Sequence, residues 1–342
     1  MINITDKVLL MQQLGVYFEK MDEELRTVIE TAHRNNAWFT PDFVEFSLKT
    51  IQENFLQKDK LEVWLNTYPQ LSKAQEHPKT VGIVMAGNIP LVGFHDFLCV
   101  FLSGHRQRIK LSSKDTTLWK HIIDKMNAWN PDFSNWVQVD EMLKGCDAYI
   151  ATGSNNSARY FDYYFKKYPH IIRRNRSSVA VLDGNETNKD LELLADDMNL
   201  YFGLGCRNVT QIFVPRDYNF ERLIAAMDKY KEHIHHNKFK NNYDYQLAIF
   251  LLNKQFYMSN GHLLFVESDS LYAPISVVHY QYYDGEKDAC IEQLLKDDNI
   301  QCINTNNKNT IKPHVLSYGQ NQCPTLTDYA DGVDTMEFLS KL

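Results

Sequence analysis

One thiol in the chain stands where a substrate could reach a nucleophile. Cys206 lies in the stretch FGLGCRNVTQIFVP, next to Gly203 and Gly205 and ahead of a run typical of a buried strand. Glycine has no side chain, so a substrate could approach the sulfur closely. The thiolate is the nucleophilic form of cysteine, and Arg207 would favour it if its guanidinium faced the sulfur. A tight turn before a strand is the alternative explanation for the two glycines.

Small and polar residues follow three predicted strands, where open α/β sheets bind ligands. The candidate ligand-binding residues at these strand ends are Asn88, Lys110, Ser112, Ser113, Lys114, Gly153 and Ser154. Basic and hydroxyl side chains after the second strand suit the 2′-phosphate that distinguishes NADP from NAD. A Gly-Ser turn that enters a helix can bind a pyrophosphate through free N–H groups. A turn asparagine, a solvated charged strand and an ordinary helix cap are the three alternatives.

The elements that must position these residues alternate between strand and helix. Residues 1 to about 75 have helical spacing, with Thr40 and Pro41 at one helix start. Short apolar strands and amphipathic helices then follow in turn, as TVGIVMAG, LVGFHDFLCVFLSG, RQRIKLSS, DTTLWKHIIDKMNAW, CDAYIATGS, SARYFDYYFKKY and SSVAVLDG. Asp115 is placed to cap the second of these helices. The alternation predicts an α/β fold with a doubly wound parallel sheet.

A second α/β unit is predicted from the rest of the chain. NKDLELLADDMNLYFGLG reads as a helix, NVTQIFVP as a strand, NFERLIAAMDKYKEHI as a helix, and GHLLFVES and APISVVHYQY as strands. A chain of 342 residues usually forms more than one core. We therefore expect a cofactor domain over residues 1–178 and a catalytic domain over 179–318 that carries Cys206. The tail from about 319 to 342 could pack back on the first domain.

Composition excludes several functional classes. A net charge of −7 argues against a general nucleic-acid binder. The sequence shows neither a secretory signal nor a membrane span, and its six cysteines form no CxxC pair, so we expect a reduced, cytoplasmic protein without a metal site. The histidines of EHIHHNKFK do not share one helical face, which speaks against zinc.

Four motifs in order carry a resemblance to a known family. VGIVMAGNIPL, LSGHRQRIKLSSKDTTL, CDAYIATGS and the approach from SSVAVLDG to Cys206 resemble the aldehyde dehydrogenase superfamily. Within it they are most similar to the acyl-CoA reductase family, typified by the fatty-acid reductase of bacterial bioluminescence. The resemblance covers most of residues 80 to 215 and implies an aldehyde-dehydrogenase-like fold.

The resemblance also implies roles for individual residues. Cys206 would be the nucleophile, and the Asn88 amide would hold the oxyanion together with the Cys206 backbone N–H. The adenosine ribose and its phosphate would bind Lys110, Ser112, Ser113 and Lys114, and the pyrophosphate would bind the turn of Gly153 and Ser154. The implied cofactor is NADPH, with NADH as the alternative, and the implied substrate is an acyl-CoA or an acyl-carrier thioester.

One departure from the superfamily pattern bears on the reaction. Aldehyde-oxidising members carry a glutamate that activates water to hydrolyse the thioacyl enzyme, whereas this chain has Ile172 or Arg173 there. Exchange of one thioester for another needs no such base. The departure therefore favours a thioester substrate. An acyl-phosphate reductase and an inactive scaffold or partner subunit are the alternatives, and a homo-oligomer stays open.

Overall fold

The computed structural model describes residues 3–71, 77–306, 312 and 314–342. They form two compact units, of which the first holds the chain up to Asn175 and again from Pro324 to Leu342. The second unit runs from Arg176 to Cys323. The sequence had led us to expect divisions after residues 178 and 318, whereas the structure divides the chain after 175 and 323.

Helices occupy most of the described chain before the first sheet. They are α1 (Ile4–Lys20), α2 (Glu23–Asn35), α3 (Pro41–Phe55) and α4 (Lys58–Asn66). Asn3 and Asp6 form a capping box on α1, and the Asp22 carboxylate accepts the Leu25 N–H at the start of α2. Thr40 stands at the N-cap of α3 without a capping hydrogen bond, and Pro41 occupies the first helical position.

A parallel sheet organises the first unit, as the alternating pattern predicted, although the predicted strand SSVAVLDG lies in the sheet of the second unit. Its described strands are β1 (Thr80–Val84), β2 (Arg106–Lys110), β3 (Val137–Val139), β4 (Ala148–Thr152) and β5 (His170–Arg173). They pair in the order β3-β2-β1-β4-β5, all parallel. The helices of this sheet are α5 (Phe94–Ser103), α6 (Thr116–Trp129) and α7 (Asn155–Phe165). The order runs outward in both directions from β1 and β4, so the topological switch point lies between these two strands.

The C-terminal tail belongs to the first unit, where its helix α12 (Thr335–Ser340) packs against α5. A buried ion pair joins Arg173 of β5 to Asp96 of α5 at 2.7 Å. The same guanidinium donates to Thr335 Oγ1 at 2.9 Å. Arg173 thus ties the edge strand to both helices.

The second unit is built on a largely parallel sheet. Its described strands are β6 (Ser177–Val181), β7 (Val209–Pro215), β8 (Met258–Ser259), β9 (Leu264–Glu267), β10 (Val277–Tyr283), β11 (Ile300–Asn304) and β12 (Val315–Leu316). They pair in the order β12-β11-β6-β7-β10-β9-β8, and only the β8–β9 pair among them is antiparallel. The α-helices of this unit are α8 (Asn188–Asn199), α9 (Glu221–Ala226), α10 (Asn237–Leu252) and α11 (Lys287–Leu294).

Two predicted helices of this unit were too long. The helix predicted over residues 188–205 ends at Asn199, where the chain enters a left-handed turn. The helix predicted over 219–234 is an α-helix only from Glu221 to Ala226 and continues as a 3₁₀ helix from Met227 to His235.

Candidate active site

Cys206 occupies a tight turn at the amino ends of β6 and β7. The Asn208 N–H donates to the Gly205 carbonyl at 3.0 Å, which closes a β-turn with Cys206 as its second residue. The Asn208 side chain accepts the Gly205 N–H at 2.8 Å, so the turn is bridged in both directions. Cys206 itself is partly exposed. The turn thus presents the thiol on a short, doubly bonded loop.

A segment with strained, left-handed backbone conformation immediately precedes this turn. Tyr201, Phe202 and Gly203 have φ values of 54°, 56° and 75°. The left-handed conformation costs an L-residue about 1–2 kcal/mol, so Tyr201 and Phe202 need compensation from packing. Both side chains are buried, and the Phe202 ring lies 4.5 Å from that of His233 and 4.6 Å from that of His236. The positive φ of Gly203 therefore explains why this residue is glycine, whether or not a substrate approaches here.

Side chains outside the turn anchor the peptide groups around Cys206. Ser178 Oγ donates to the Cys206 carbonyl at 3.1 Å, and Asn321 Nδ2 donates to the Arg207 carbonyl at 2.7 Å. Asn208 Nδ2 donates to the carbonyls of Asp197 at 3.0 Å and Leu200 at 2.9 Å. The end of α8, the left-handed segment and the turn are thereby joined into one hydrogen-bonded unit.

The sequence did not single out these anchoring residues. A signal was present for Asp197, an acidic residue among Leu194, Ala195 and Met198 on the apolar face of α8. The asparagines carried no such signal, because their partners lie on other elements.

The Arg207 guanidinium contacts a different sulfur from the one we considered. Its Nη1 lies 3.7 Å from Cys302 Sγ on β11. This contact gives the guanidinium a structural partner in the sheet.

The other predicted site residues gather at the carboxyl edge of the first sheet, in the unit that does not contain Cys206. Asn88 follows β1, the Lys110–Lys114 segment ends β2, and Gly153 and Ser154 follow β4. A Cβ atom on Gly87 would lie 2.5 Å from Ser112 Oγ, so the loops after β1 and β2 are closely packed. Because these loops flank the switch point, they form the edge where this topology binds nucleotides.

Each of these loops has a local structural reason for its residues. Ser154 caps α7 by accepting the Ser157 N–H at 3.3 Å, and a Cβ on Gly153 would lie 2.9 Å from Phe161. Lys110, Ser113 and Lys114 are exposed, while Ser112 is half-buried. The free N–H groups at the start of α7 and the exposed ammonium groups could bind phosphate.

Asp115 supports the loop that carries Asn88, rather than capping α6 as we expected. Its carboxylate accepts the N–H of Leu91 at 2.7 Å, and Leu91 has a φ of 54°. The Asp115 side chain makes no capping hydrogen bond to α6, and α5 starts only at Phe94. Burial raises the pKa of Asp115 well above its usual value, against the Leu91 N–H, which lowers it.

Two of the basic residues on β2 do not serve a phosphate site. Arg108 pairs with Asp140 at 2.5 Å and donates to the Lys144 carbonyl at 2.6 Å. Arg106 begins β2, at the end of the strand remote from its carboxyl edge. Lys110 and Lys114, at the strand exit, are exposed and stay the predicted basic residues of the nucleotide site.

The described residues hold neither a metal-binding cluster nor a membrane-spanning helix. No three His, Cys, Asp or Glu side chains in ranges 3–71 and 77–306 or in the described tail group closely enough to bind a metal ion. No helix within those same residues combines the length and apolarity needed to span a membrane.

The class of protein follows from the fold. Aldehyde dehydrogenase 21 from Physcomitrella patens, in complex with succinate, superposes with a TM-score of 0.67 over 99% of this chain and 84% of that one, at 11% identity. For glyceraldehyde-3-phosphate dehydrogenase from Methanocaldococcus jannaschii, complexed with NADP, the TM-score is 0.61 at 12% identity, covering 90% and 77%. Mycobacterium tuberculosis aldehyde dehydrogenase, complexed with NAD⁺, gives 0.54 at 12%, covering 84% and 70%. The chain has the aldehyde dehydrogenase fold.

The family is narrower than the fold. The sequence profile described as acyl-CoA reductase (LuxC) matches residues 18–273, beyond both ends of the 80–215 stretch in which we found the resemblance. No curated protein sequence matches the chain. The chain belongs to the acyl-CoA reductase family and is an oxidoreductase with the aldehyde dehydrogenase fold.

Replacing Gly203 with alanine tests the strained approach to Cys206. With φ at +75°, Gly203→Ala should lower the free energy of unfolding by about 1–2 kcal/mol and displace the turn. Chemical denaturation measures the first effect, and the rate at which iodoacetamide modifies Cys206 measures the second. Gly261→Ala is the matched control, since Gly261 has a φ of +93° in the same unit and open space around its Cβ position. Equal modification rates in both variants and the parent protein would contradict the role of Gly203.

Proposed function

We propose that the protein reduces an acyl-CoA, or an acyl-carrier thioester, to the aldehyde with NADPH, through a thioacyl intermediate on Cys206. The observation that carries the proposal is the Cys206 turn, in which a partly exposed thiol sits on a backbone anchored by Ser178, Asn208 and Asn321. A nucleophile needs this combination of access and fixed position.

Other thiols in the chain are poorly suited to the same role. Burial raises the pKa of Cys99 well above its usual value, and it raises the pKa of Cys146 as well. Burial also raises the pKa of Cys290 to about 11. Burial therefore disfavours the thiolate at these three side chains, whereas the attacking species must be a thiolate.

The residues at the carboxyl edge of the first sheet fit a dinucleotide. N–H, hydroxyl and cationic groups that could contact a dinucleotide lie along this edge. They belong to the closely packed loops of Gly87 and Ser112, to the start of α7 at Ser154 and to the exposed ammonium of Lys114. Bound NADPH would supply the hydride that reduces the thioester carbonyl. The basic exit of β2 favours a 2′-phosphate and therefore NADPH over NADH.

In the proposed reaction, Cys206 Sγ attacks the thioester carbonyl and a new C–S bond forms. The Asn88 amide and the Cys206 N–H stabilise the oxyanion, a role that the family resemblance assigns to them. The bond to coenzyme A then breaks, and its thiol leaves with a proton. After hydride addition the C–Sγ bond breaks, the aldehyde departs, and the Cys206 thiolate is regenerated. The sum is acyl-CoA, NADPH and a proton converted to aldehyde, NADP⁺ and free coenzyme A.

The residues at the position of the hydrolytic glutamate support a thioester substrate. Arg173 is committed to Asp96 and Thr335, and Ile172 has no ionisable group. Neither could activate water as a general base. Thioester exchange remains available because coenzyme A carries its own thiol.

An assay that follows NADPH consumption and free thiol release together tests the reaction. With a panel of acyl-CoAs we expect the two signals in equal amounts, because each turnover releases one coenzyme A. Cys206→Ser should abolish both while NADPH binding, measured by fluorescence, is retained. Cys290→Ser, a change at another partly exposed thiol of the same unit, should leave both rates unchanged.

Each other outcome of this assay points to a different function. Thiol release without NADPH consumption would indicate acyl transfer or hydrolysis. NADPH consumption with acyl phosphates alone would indicate an acyl-phosphate reductase. No signal from any substrate, with no binding of NADPH, would indicate a scaffold or partner subunit.

A charge reversal at Lys114 tests the preference for NADPH. Lys114→Glu should lower kcat/KM for NADPH about tenfold or more, through loss of a charge-assisted contact, and change the value for NADH little. Lys120→Glu on α6 makes the same charge change at an exposed position and serves as the control. A loss of equal size for both cofactors, or equal losses in the two variants, would refute the phosphate-binding role of Lys114.

A further inference from the structure

A buried carboxylate lies at the end of α8, nine residues before Cys206 in the chain. Asp197 is 1% exposed. Its Oδ2 accepts the Gly319 N–H at 2.6 Å and Asn304 Nδ2 at 3.1 Å, and its Oδ1 accepts the Asn321 N–H at 3.1 Å. All three partners are N–H donors, which suits an ionised carboxylate that can only accept.

The side chains of two asparagines connect this carboxylate to the Cys206 turn. Asn304 donates to Asp197 and to the Ser317 carbonyl, so its oxygen must face the other way. That oxygen accepts Asn321 Nδ2 at 2.7 Å, and the same Nδ2 donates to the Arg207 carbonyl at 2.7 Å. The orientation of each amide is therefore set by the group before it, beginning at Asp197.

Asp197 also reaches the turn from its other side. Its backbone carbonyl accepts Asn208 Nδ2, and the Asn208 oxygen accepts the Gly205 N–H. Through these asparagines, the carboxylate and the carbonyl of Asp197 are linked to the Arg207 carbonyl and the Gly205 N–H, on either side of Cys206.

We propose that the Asp197 carboxylate is a positioning residue for Cys206, acting through Asn304 and Asn321 on the turn that carries the thiol. The proposal rests on the proposed function in that Cys206 is the nucleophile. Asp197 does not contact the reacting atoms in this account. It fixes the turn in the geometry that acyl transfer requires.

Because Asp197 can ionise, its positioning role should make the reactivity of Cys206 depend on pH. Burial raises the pKa of Asp197 to about 7, opposed by the N–H groups of Gly319 and Asn321 and assisted by the charge of Asp196. The titratable groups that face it are Asp196 and Tyr230, and Tyr230 donates to Asp196 at 2.6 Å. Protonation would place an O–H among N–H donors and weaken the relay.

Stability and positioning respond to pH in opposite directions. Because the pKa of Asp197 is higher in the folded protein than its ordinary value of 3.8, this group adds most to stability below about pH 4. That contribution is lost as the pH rises through about 7. The ionised form, which fits the three donors, is therefore present where the contribution to stability is smallest. A purely structural residue would not separate the two effects.

Two variants and one control test the proposal. Asp197→Asn puts an amide donor against the existing donors, and Asn321→Ala removes the last link of the relay without touching Asp197. Each should lower the single-turnover rate of coenzyme A release at saturating acyl-CoA about 10- to 100-fold at about pH 8, with little change in KM. Asp196→Asn removes the neighbouring carboxylate, which binds Lys229 and Tyr230, and should leave that rate unchanged.

The pH dependence of Cys206 alkylation provides a second readout that needs no substrate. The rate with iodoacetamide, followed by mass spectrometry of the Cys206 peptide, should be similar in the parent protein and Asp197→Asn at about pH 5, where both side chains are neutral. The two rates should diverge above about pH 7, and Asp196→Asn should shift this divergence to lower pH. If the parent protein transfers no acyl group, the proposed function fails while this measurement still tests the relay. A constant ratio of the two rates at every pH, or full acyl transfer by Asn321→Ala, would overturn the role of Asp197.

Discussion

The side chain of Asn208 makes the hydrogen bonds on which the candidate nucleophile depends. Its oxygen accepts the Gly205 N–H, and its nitrogen donates to the carbonyls of Asp197 and Leu200. An aspartate could not make the two donations, and a leucine would leave three buried peptide groups without partners. One amide therefore joins the end of α8, the left-handed segment and the turn of Cys206. The strain of Tyr201 and Phe202 is offset by the burial of both side chains.

The predicted site residues follow the carboxyl ends of strands in the first sheet, whereas Cys206 lies at the amino ends of strands in the second. In the first, the predicted cofactor residues follow the carboxyl ends of β1, β2 and β4, around the switch point that the strand order creates. In the second, Cys206 precedes β7 and lies at the amino ends of the central strands. Strand β6 gives this turn one backbone hydrogen bond, from the Ser178 N–H to the Asn208 carbonyl at 3.2 Å, and side chains add further ones. These side chains are those of Ser178, Asn208 and Asn321.

The sequence predicted those parts of the fold whose signals are local. β1 and β4 were predicted because they are continuous apolar runs buried on both faces, and the family motifs lie at their ends. The edge strands β3 and β5 were missed because they are short and partly exposed. The extent of α8 was wrong because Tyr201 and Phe202 continue its apolar spacing, and their tertiary packing prevails over that pattern. The neighbours β6 and β11 are far apart in the chain, so neither this pairing nor the relay through Asn304 had a local signal. The site roles of Asn88, Lys110, Ser112, Ser113, Lys114, Gly153, Ser154 and Cys206 stay predictions.

Direct trapping tests whether the acyl group is carried on Cys206. The protein is mixed with a long-chain acyl-CoA in the absence of NADPH, quenched in acid, digested and analysed by mass spectrometry. We expect one acyl group per chain, on the peptide that contains Cys206. Neutral hydroxylamine should release this acyl group, because it is held as a thioester. An acyl group on another cysteine, or an unmodified Cys206 peptide in a protein that nevertheless consumes NADPH and acyl-CoA, would contradict this role of Cys206.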